Sequence, residues 1–208
     1  MMSGFCYVLA AAANVLWLCM RDRLSMWQQM FVPIITVGLI GIGTFFSCVG
    51  IPQEGRKRRM RRCLWSILLY YLAILSVLLF FGGLFYLDRV WGGPVNLKPF
   101  YTIRNFFVHY RRTGSLSSLF NLLGNIAILV PLGVLLPVLF RSMRHFWICL
   151  PLVAGIAVGI EYLQWCTATG IADVDDSILN FIGAAAGYFV TRLCQMIYYL
   201  IRKRTKLK

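Results

Sequence analysis

Long apolar runs, separated by short polar or basic clusters, make up most of this chain. The runs are continuous rather than alternating residue by residue, which is typical of membrane-spanning helices and not of barrel strands. They predict six spans, at about residues 4–20, 31–51, 64–87, 118–140, 146–169 and 176–201. We therefore expect an all-α fold, a polytopic membrane helix bundle of about six transmembrane helices.

A different pattern occurs in the one long connection, between residues 88 and 117. Ile103, Phe107 and Tyr110 recur there at helical spacing, with arginines between them. This amphipathic pattern predicts a short helix that lies in the membrane interface with its apolar side toward the lipid.

Composition supports the membrane interpretation. The chain has 208 residues, of which 60% are hydrophobic and 13% are charged, and its mean hydropathy is +0.73. A soluble domain would be about half apolar and about a quarter charged, so a soluble globular enzyme is excluded. The net charge of +14 comes from basic clusters beside the apolar runs, which is a topology signal rather than a nucleic-acid footprint. We expect the lipid bilayer as the partner of this protein, and we expect no binding of nucleic acid.

The basic clusters also predict orientation, because positive residues accumulate on the cytoplasmic side. Placing residues 56–62, the turn at 141–145 and the tail inside gives a multi-pass protein of the cell membrane with both termini cytoplasmic. The predicted organisation is 1–55, two N-terminal transmembrane helices; 56–63, a basic cytoplasmic linker; 64–201, a four-helix membrane core; and 202–208, a basic cytoplasmic tail.

Acidic residues are rare and concentrated. The chain has seven, and four of them fall between residues 161 and 176. Ionisable residues at membrane depth are costly and therefore indicate function. With the predicted topology, these acids and nearby carboxamides share one depth near the outer leaflet. The candidate site residues are Glu161, Asp173, Asp175, Asp176, Asn96, Asn121, Asn125, Gln164, Asn180 and Arg104.

Each candidate also has a structural alternative. Asp173 or Asp176 can cap the sixth helix, where a carboxylate accepts free N–H groups. The carboxamides can form hydrogen bonds between helices. Glu161 needs a proton, a partner or water, and Arg104 is one of the outer basic residues available to pair with it.

Glycines and prolines predict packing rather than chemistry. Small residues at Gly155-x-x-x-Gly159 and Gly183-x-x-x-Gly187 predict close helix contacts, as do the glycines of the second span. Pro131 and Pro137 predict a kink in the fourth span. The seven cysteines show no metal-ligand spacing, so we assign no metal ligands.

Four motifs occur in order along the chain: Asn96-Leu-Lys-Pro-Phe100, Asn121-x-x-Gly-Asn125 continued by Pro131-Leu-Gly133, Glu161-x-x-Gln164, and Asp173-x-Asp175-Asp176-x-x-x-Asn180-x-x-Gly183. Together they resemble the VanZ family of bacterial membrane proteins, over about residues 64–195. One departure is Gly170, because some members carry an arginine about three residues before the first Asp. If that arginine partners the acids, another base must substitute for it here.

The resemblance implies an envelope protein connected with low-level teicoplanin resistance, and it implies no biochemical mechanism. Two hypotheses follow. The protein binds or remodels a surface component, such as a lipid-linked wall precursor or the glycopeptide, through an outward-facing acidic site. Alternatively it is an intramembrane enzyme acting on a lipid-linked phosphate or glycan.

In the enzyme hypothesis the catalytic residues are Glu161, Asp173 and Asp176. Carboxylates held close together repel one another, so one of them should retain its proton at neutral pH and serve as general acid. A divalent cation held by several carboxylates is a further version of the hypothesis, and the cofactor is otherwise unknown. A third hypothesis is a transporter, which the absence of a visible inverted repeat in the sequence disfavours.

Overall fold

The computed structural model of this chain describes residues 2–20, 26–49, 51–77, 79, 95–167 and 172–205. The predicted all-α class is confirmed. The helices are α1 (Met2–Met20), α2 (Met26–Cys48), α3 (Gln53–Ser76), α4 (Tyr101–Thr113), α5 (Ser117–Ile128), α6 (Val130–Leu139), α7 (Phe146–Cys166) and α8 (Val174–Thr205). The remaining elements are a 3-10 turn at Ser142–Arg144 and two short strands, β1 (Val95–Asn96) and β2 (Ala172–Asp173). The chain divides into two compact units, residues 1–74 and 75–208.

Within the described residues, three helical stretches are long and apolar enough to cross a membrane. They are Leu119–Leu139, Phe146–Cys166 and Val174–Thr205, and they match the predicted fourth, fifth and sixth spans. A stretch of 21 residues rises about 31 Å, close to the roughly 30 Å of a bilayer's hydrocarbon core. Two shorter apolar stretches, Ser3–Trp17 and Ile35–Cys48, belong to α1 and α2. The predicted third span runs into residues 78 and 80–87, which lie outside the described part.

Polar side chains tie together the three helices of the first unit. The Asn14 amide of α1 donates to the Thr36 hydroxyl of α2 at 2.9 Å, and the Tyr70 hydroxyl of α3 donates to Asn14 Oδ1 at 2.6 Å. Such bonds satisfy polar groups that lipid could not. The basic run 56–62 is helical and forms the first turns of α3, as the high helix propensity of Lys and Arg favours.

Glycine-mediated packing holds α5 and α6 against α8 in the second unit. A Cβ on Gly183 would lie 1.7 Å from the Ile126 carbonyl oxygen, and one on Gly133 would lie 1.9 Å from that of Ala184. Only glycine permits these contacts between Cα hydrogens and carbonyl oxygens. The predicted close packing at Gly183 and Gly187 is therefore confirmed.

The same prediction is wrong for the other GxxxG motif. A Cβ on Gly155 or Gly159 would meet open space, because no helix of the described chain approaches that face of α7. In α2, Gly43 lies against Cys6 of α1, whereas Gly38 and Gly41 also face open space.

The predicted fourth span is two helices rather than one kinked helix. α5 ends at Ile128 and α6 begins at Val130, with Leu129 between them at φ −100° and ψ 0°. Pro131 explains the break, because it lacks an N–H and disfavours helical geometry at the residue before it. The expected amphipathic helix is present as α4, and none of its residues is buried.

Two short parallel strands hold the segment before α4 beside the start of α8. Val95 pairs with Ala172, and Asn96 pairs with Asp173. Asp175, which directly precedes the predicted sixth span at residue 176, lies in the first turn of α8. Gly170 lies outside the described residues.

Candidate functional site

Asp175 caps helix α4 from a different helix. Its side chain is completely buried, and its carboxylate accepts the backbone N–H groups of Phe100 at 2.5 Å and Thr102 at 2.7 Å. The Ile103 N–H donates to the same carboxylate at 3.2 Å. The first N–H groups of a helix have no partner within it, and a carboxylate both satisfies them and suits the helix dipole.

The capped turn has an unusual backbone. Phe100 adopts left-handed geometry at φ 63°, which costs a non-glycine residue about 1–2 kcal/mol. This conformation accompanies the convergence of N–H groups on Asp175, and those bonds offset its cost.

Asp173 joins three segments. It directly precedes α8, and its Oδ1 accepts the Asp175 N–H at 2.9 Å, so the capping role considered for it is confirmed. The Asn96 amide donates to both of its oxygens at 3.2 Å, and the Thr102 hydroxyl donates to it at 2.5 Å. Asp173 and Asp175 are therefore each bonded to at least three donors.

Glu161 is brought beside these acids by α7. Its side chain is 8% exposed, and its Oε2 accepts the Asp173 N–H at 3.3 Å. This long bond is the only one to its carboxylate among the described residues. Since an ionised carboxylate has about four acceptor positions, Glu161 retains most of its capacity to bind donors.

Asp176 completes the cluster from the first turn of α8. The Asn125 amide of α5 donates to its Oδ1. One turn further along α8, Asn180 is 3% exposed, and its Oδ1 has no hydrogen-bond partner in the part of the chain that the structure describes. The two carboxamides thus flank Asp176 from different helices.

Three further candidates are less buried than Glu161, Asp173 and Asp175. Asn121 and Arg104 are exposed, and Gln164 is half-buried on the helix turn after Glu161. The charged groups that act on Glu161 and Asp176 are the other carboxylates, with no basic side chain from the described segments among them. The expected pairing of Glu161 with an outer arginine is therefore absent from the described residues.

Sequence reasoning missed the contributions of Thr102 and of the Phe100 and Ile103 backbones. One signal was available: a predicted helix beginning near residue 103 needs acceptors for its first N–H groups. Spacing alone did not show that Asp175, more than seventy residues away, supplies them.

A groove of about 370 Å³ lies beside Glu161. Glu161 and Asp173 are its acidic lining residues, and its apolar walls come from α7 and from the segments that carry the two strands. Those walls include Val95, Leu97, Val158, Tyr162 and Trp165. An apolar groove that also contains carboxylates in its lining suits an amphiphilic molecule rather than a small polar one.

The described part of the chain contains no preformed metal-binding site. No group of three His, Cys, Asp or Glu side chains there is arranged to hold an ion. The oxygens of Asp173 and Asp175 are instead directed at N–H and O–H donors of residues 96–103.

Comparison with known proteins relates this arrangement of residues to one protein family. No match was found among curated proteins or among solved structures. The model of the VanZ/LLP1 family matches residues 67–195, a region that contains the residues of the acidic cluster, two of the three apolar helices and most of the third. The chain is a VanZ-like membrane protein and belongs to the VanZ/LLP1 family.

Proposed function

We propose that this protein binds or remodels a surface or lipid-linked component of the bacterial envelope, and that it thereby contributes to resistance against teicoplanin-type glycopeptides. The observation that carries the proposal is Glu161, a nearly buried carboxylate that lines an apolar groove and accepts one weak bond from the described residues. Family membership supports the link with glycopeptides.

The bonding of the four acids supports Glu161 as the ligand-binding group. Asp173 and Asp175 already bind the residues around α4, so they position the site rather than contact a ligand. Asp176 and Asn125 bind each other beside it. Asn96 donates to Asp173, and Asn180, one helix turn after Asp176, has an acceptor with no partner among the described residues.

The charge of the cluster restricts the ligand group that contacts Glu161. Like charges about 5 Å apart repel by roughly 3 kcal/mol at an effective dielectric constant near 20, which disfavours a phosphate there. An ammonium or hydroxyl group donates to the carboxylate instead. The bound molecule is therefore an amphiphile whose aliphatic part lies in the groove and whose head group carries donors, such as an amino sugar or glycan.

The proposed membrane arrangement places this site toward the cell exterior. In the six-span topology, with both termini cytoplasmic, the C-terminal end of α7 and the N-terminal end of α8 face outward. Glu161 lies five residues before the end of α7, about 8 Å along the helix axis. This depth is close to the head groups of the outer leaflet, where wall precursors and glycopeptides meet.

The test is teicoplanin susceptibility of a sensitive host that expresses the wild type or variants at equal membrane levels. We expect wild type to raise the inhibitory concentration and Glu161→Ala to abolish the rise. Glu161→Gln should retain part of it, because an amide oxygen still accepts donors. The matched control, Glu54→Gln, alters an exposed acid of α3 and should behave as wild type. Full resistance with Glu161→Ala would refute the proposal.

A second candidate is an intramembrane enzyme acting on a lipid-linked phosphate or glycan. It is favoured by two carboxylates, Glu161 and Asp176, that come from different helices and are not saturated with donors. Such a pair can divide general acid and general base roles. In that case Glu161→Gln abolishes function as completely as Glu161→Ala, and lipid extracts from expressing cells contain a modified species.

A further inference from the structure

A second groove lies at the other end of the second unit, away from the acidic cluster. It has a volume of about 910 Å³ and lies between the 3-10 turn at Ser142–Arg144 and the C-terminal half of α8. Arg144, Arg192 and Arg202 line it. None of its lining residues that the structure describes is a carboxylate, so the wall is strongly positive.

The end of α6 holds two of these arginines in place. Because α6 ends at Leu139, the Pro137 carbonyl is one of the last of the helix and lacks a helical partner. It accepts Arg144 Nε at 3.3 Å and Gln195 Nε2 at 3.3 Å. Gln195 Oε1 in turn accepts Arg192 Nη1 at 2.6 Å. One chain of hydrogen bonds thus fixes both guanidinium groups.

The fixed arginines retain donors for a ligand. A guanidinium carries five N–H donors, and the described residues take one from Arg144 and one from Arg192. The Tyr188 hydroxyl also donates to the Arg144 carbonyl at 2.7 Å, which holds the turn against α8. A phosphate placed in the groove would meet donors that are already oriented, which is the geometry that favours Arg–phosphate recognition.

The same groove has an apolar half. Phe189, Leu193 and Met196 line it, and each is more than half exposed. Arg192 lies about 27 Å along α8 from Val174, which is close to the full thickness of a hydrocarbon core of about 30 Å. Arg192 therefore lies at head-group level, Arg202 lies about 15 Å further along the helix axis, and Phe189, which precedes Arg192, lies at the level of acyl chains.

From this arrangement we propose that the groove binds one anionic phospholipid, with its phosphate on Arg144 and Arg192, its polar head group toward Arg202 and an acyl chain along Phe189. The positive wall and the apolar half together select a lipid over a free anion. The inference rests on different residues from the acidic cluster and stands independently of the proposed function.

The test is titration of the full-length protein, in an uncharged detergent, with phosphatidylglycerol, and native mass spectrometry counts the bound lipid. We expect one lipid to bind before any other and phosphatidylcholine to bind much more weakly. Arg192→Gln and Arg202→Gln should each weaken the first binding step about fivefold, the effect of one basic residue at an anionic membrane surface.

Lys203→Gln is the matched control, because it removes the same charge beside Arg202 from a residue that does not line the groove. We expect it to leave the affinity unchanged. An equal loss from Lys203→Gln, or displacement of the lipid by inorganic phosphate, would overturn the proposal. If Arg192→Gln does not fold, the lipid affinities of Arg202→Gln and of the charge-preserving Arg192→Lys are compared with that of wild type instead. Arg192→Lys should retain most of the affinity.

Discussion

For a single buried carboxylate, the number of donors already bound to it indicates what it does. Asp175 accepts three backbone N–H groups, and Asp173 accepts an amide, a hydroxyl and an N–H. Among the described residues, Glu161 accepts one long bond, and it lines a groove. The first two therefore stabilise the site, and Glu161 is the residue free to bind another molecule.

This division predicts opposite effects for two isosteric substitutions. Asp175→Asn removes the charge and turns an amide group toward N–H donors, so we expect a loss of about 3 kcal/mol or more in unfolding free energy. Glu161→Gln should leave the unfolding free energy almost unchanged, because the substitution affects one weak hydrogen bond. Thermal unfolding of the protein purified in detergent measures both. Equal melting temperatures for Asp175→Asn and wild type would contradict the assignment.

The sequence identified these acids but could not assign their separate roles. The low acidic content of the chain and the predicted membrane depth of these residues indicated a function for all four acids together. The bonds that distinguish them come from Asn96, Phe100 and Thr102, which are distant in sequence and become neighbours through the pairing of β1 with β2. Local spacing contains no information about such a pairing.

Between helices, the decisive contacts are made by glycine. Gly183 brings α8 against the Ile126 carbonyl of α5, and Gly133 brings α6 against the Ala184 carbonyl of α8. This packing places Asp176 beside Asn125 and so shapes one side of the acidic cluster.

Two glycine-to-alanine substitutions test this packing. Gly183→Ala puts a methyl group 1.7 Å from a carbonyl oxygen, so the helices must separate, and we expect strong destabilisation or loss of folded protein. Gly155→Ala meets open space and should maintain or raise stability, since alanine favours a helix by about 1 kcal/mol. Size-exclusion chromatography and thermal unfolding compare the two. Similar behaviour of both variants would show that the close contact is not required.

Gly155 and Gly183 also show which features of the helices the sequence pattern could predict. Both GxxxG motifs have the same spacing, yet one lies against a helix and the other does not, because the neighbour is determined by tertiary packing. Pro131 predicted a distortion correctly, since its missing N–H is a local property. Whether that distortion bends one helix or divides it into two depends on the contacts of α5 and α6 with α8.

Across the whole second unit, charge is separated along the direction of the apolar helices. The acids gather where α7 ends and α8 begins, and the arginines of the second groove gather at the opposite ends. This polarity agrees with the proposed topology, because basic residues accumulate on the cytoplasmic side.

The topology predicts the behaviour of reporters fused after residue 208. A green fluorescent protein fusion should fluoresce, and an alkaline phosphatase fusion should be inactive, because both would lie in the cytoplasm. A fusion at Gly114, in the connection between α4 and α5, should give the reverse result. An active phosphatase at the C-terminus would place the acidic cluster on the cytoplasmic side and contradict an outward-facing site.

Chemical labelling with an apolar carbodiimide, followed by peptide mass mapping of the full-length membrane protein, tests most directly whether Glu161 is the available carboxylate of the groove. Such a reagent enters from lipid and reacts with carboxyl groups that are accessible and not saturated with donors. We predict one dominant adduct on Glu161, its loss in Glu161→Gln, and no adduct on Asp173 or Asp175. Modification of Asp175, or an unlabelled Glu161, would contradict the account.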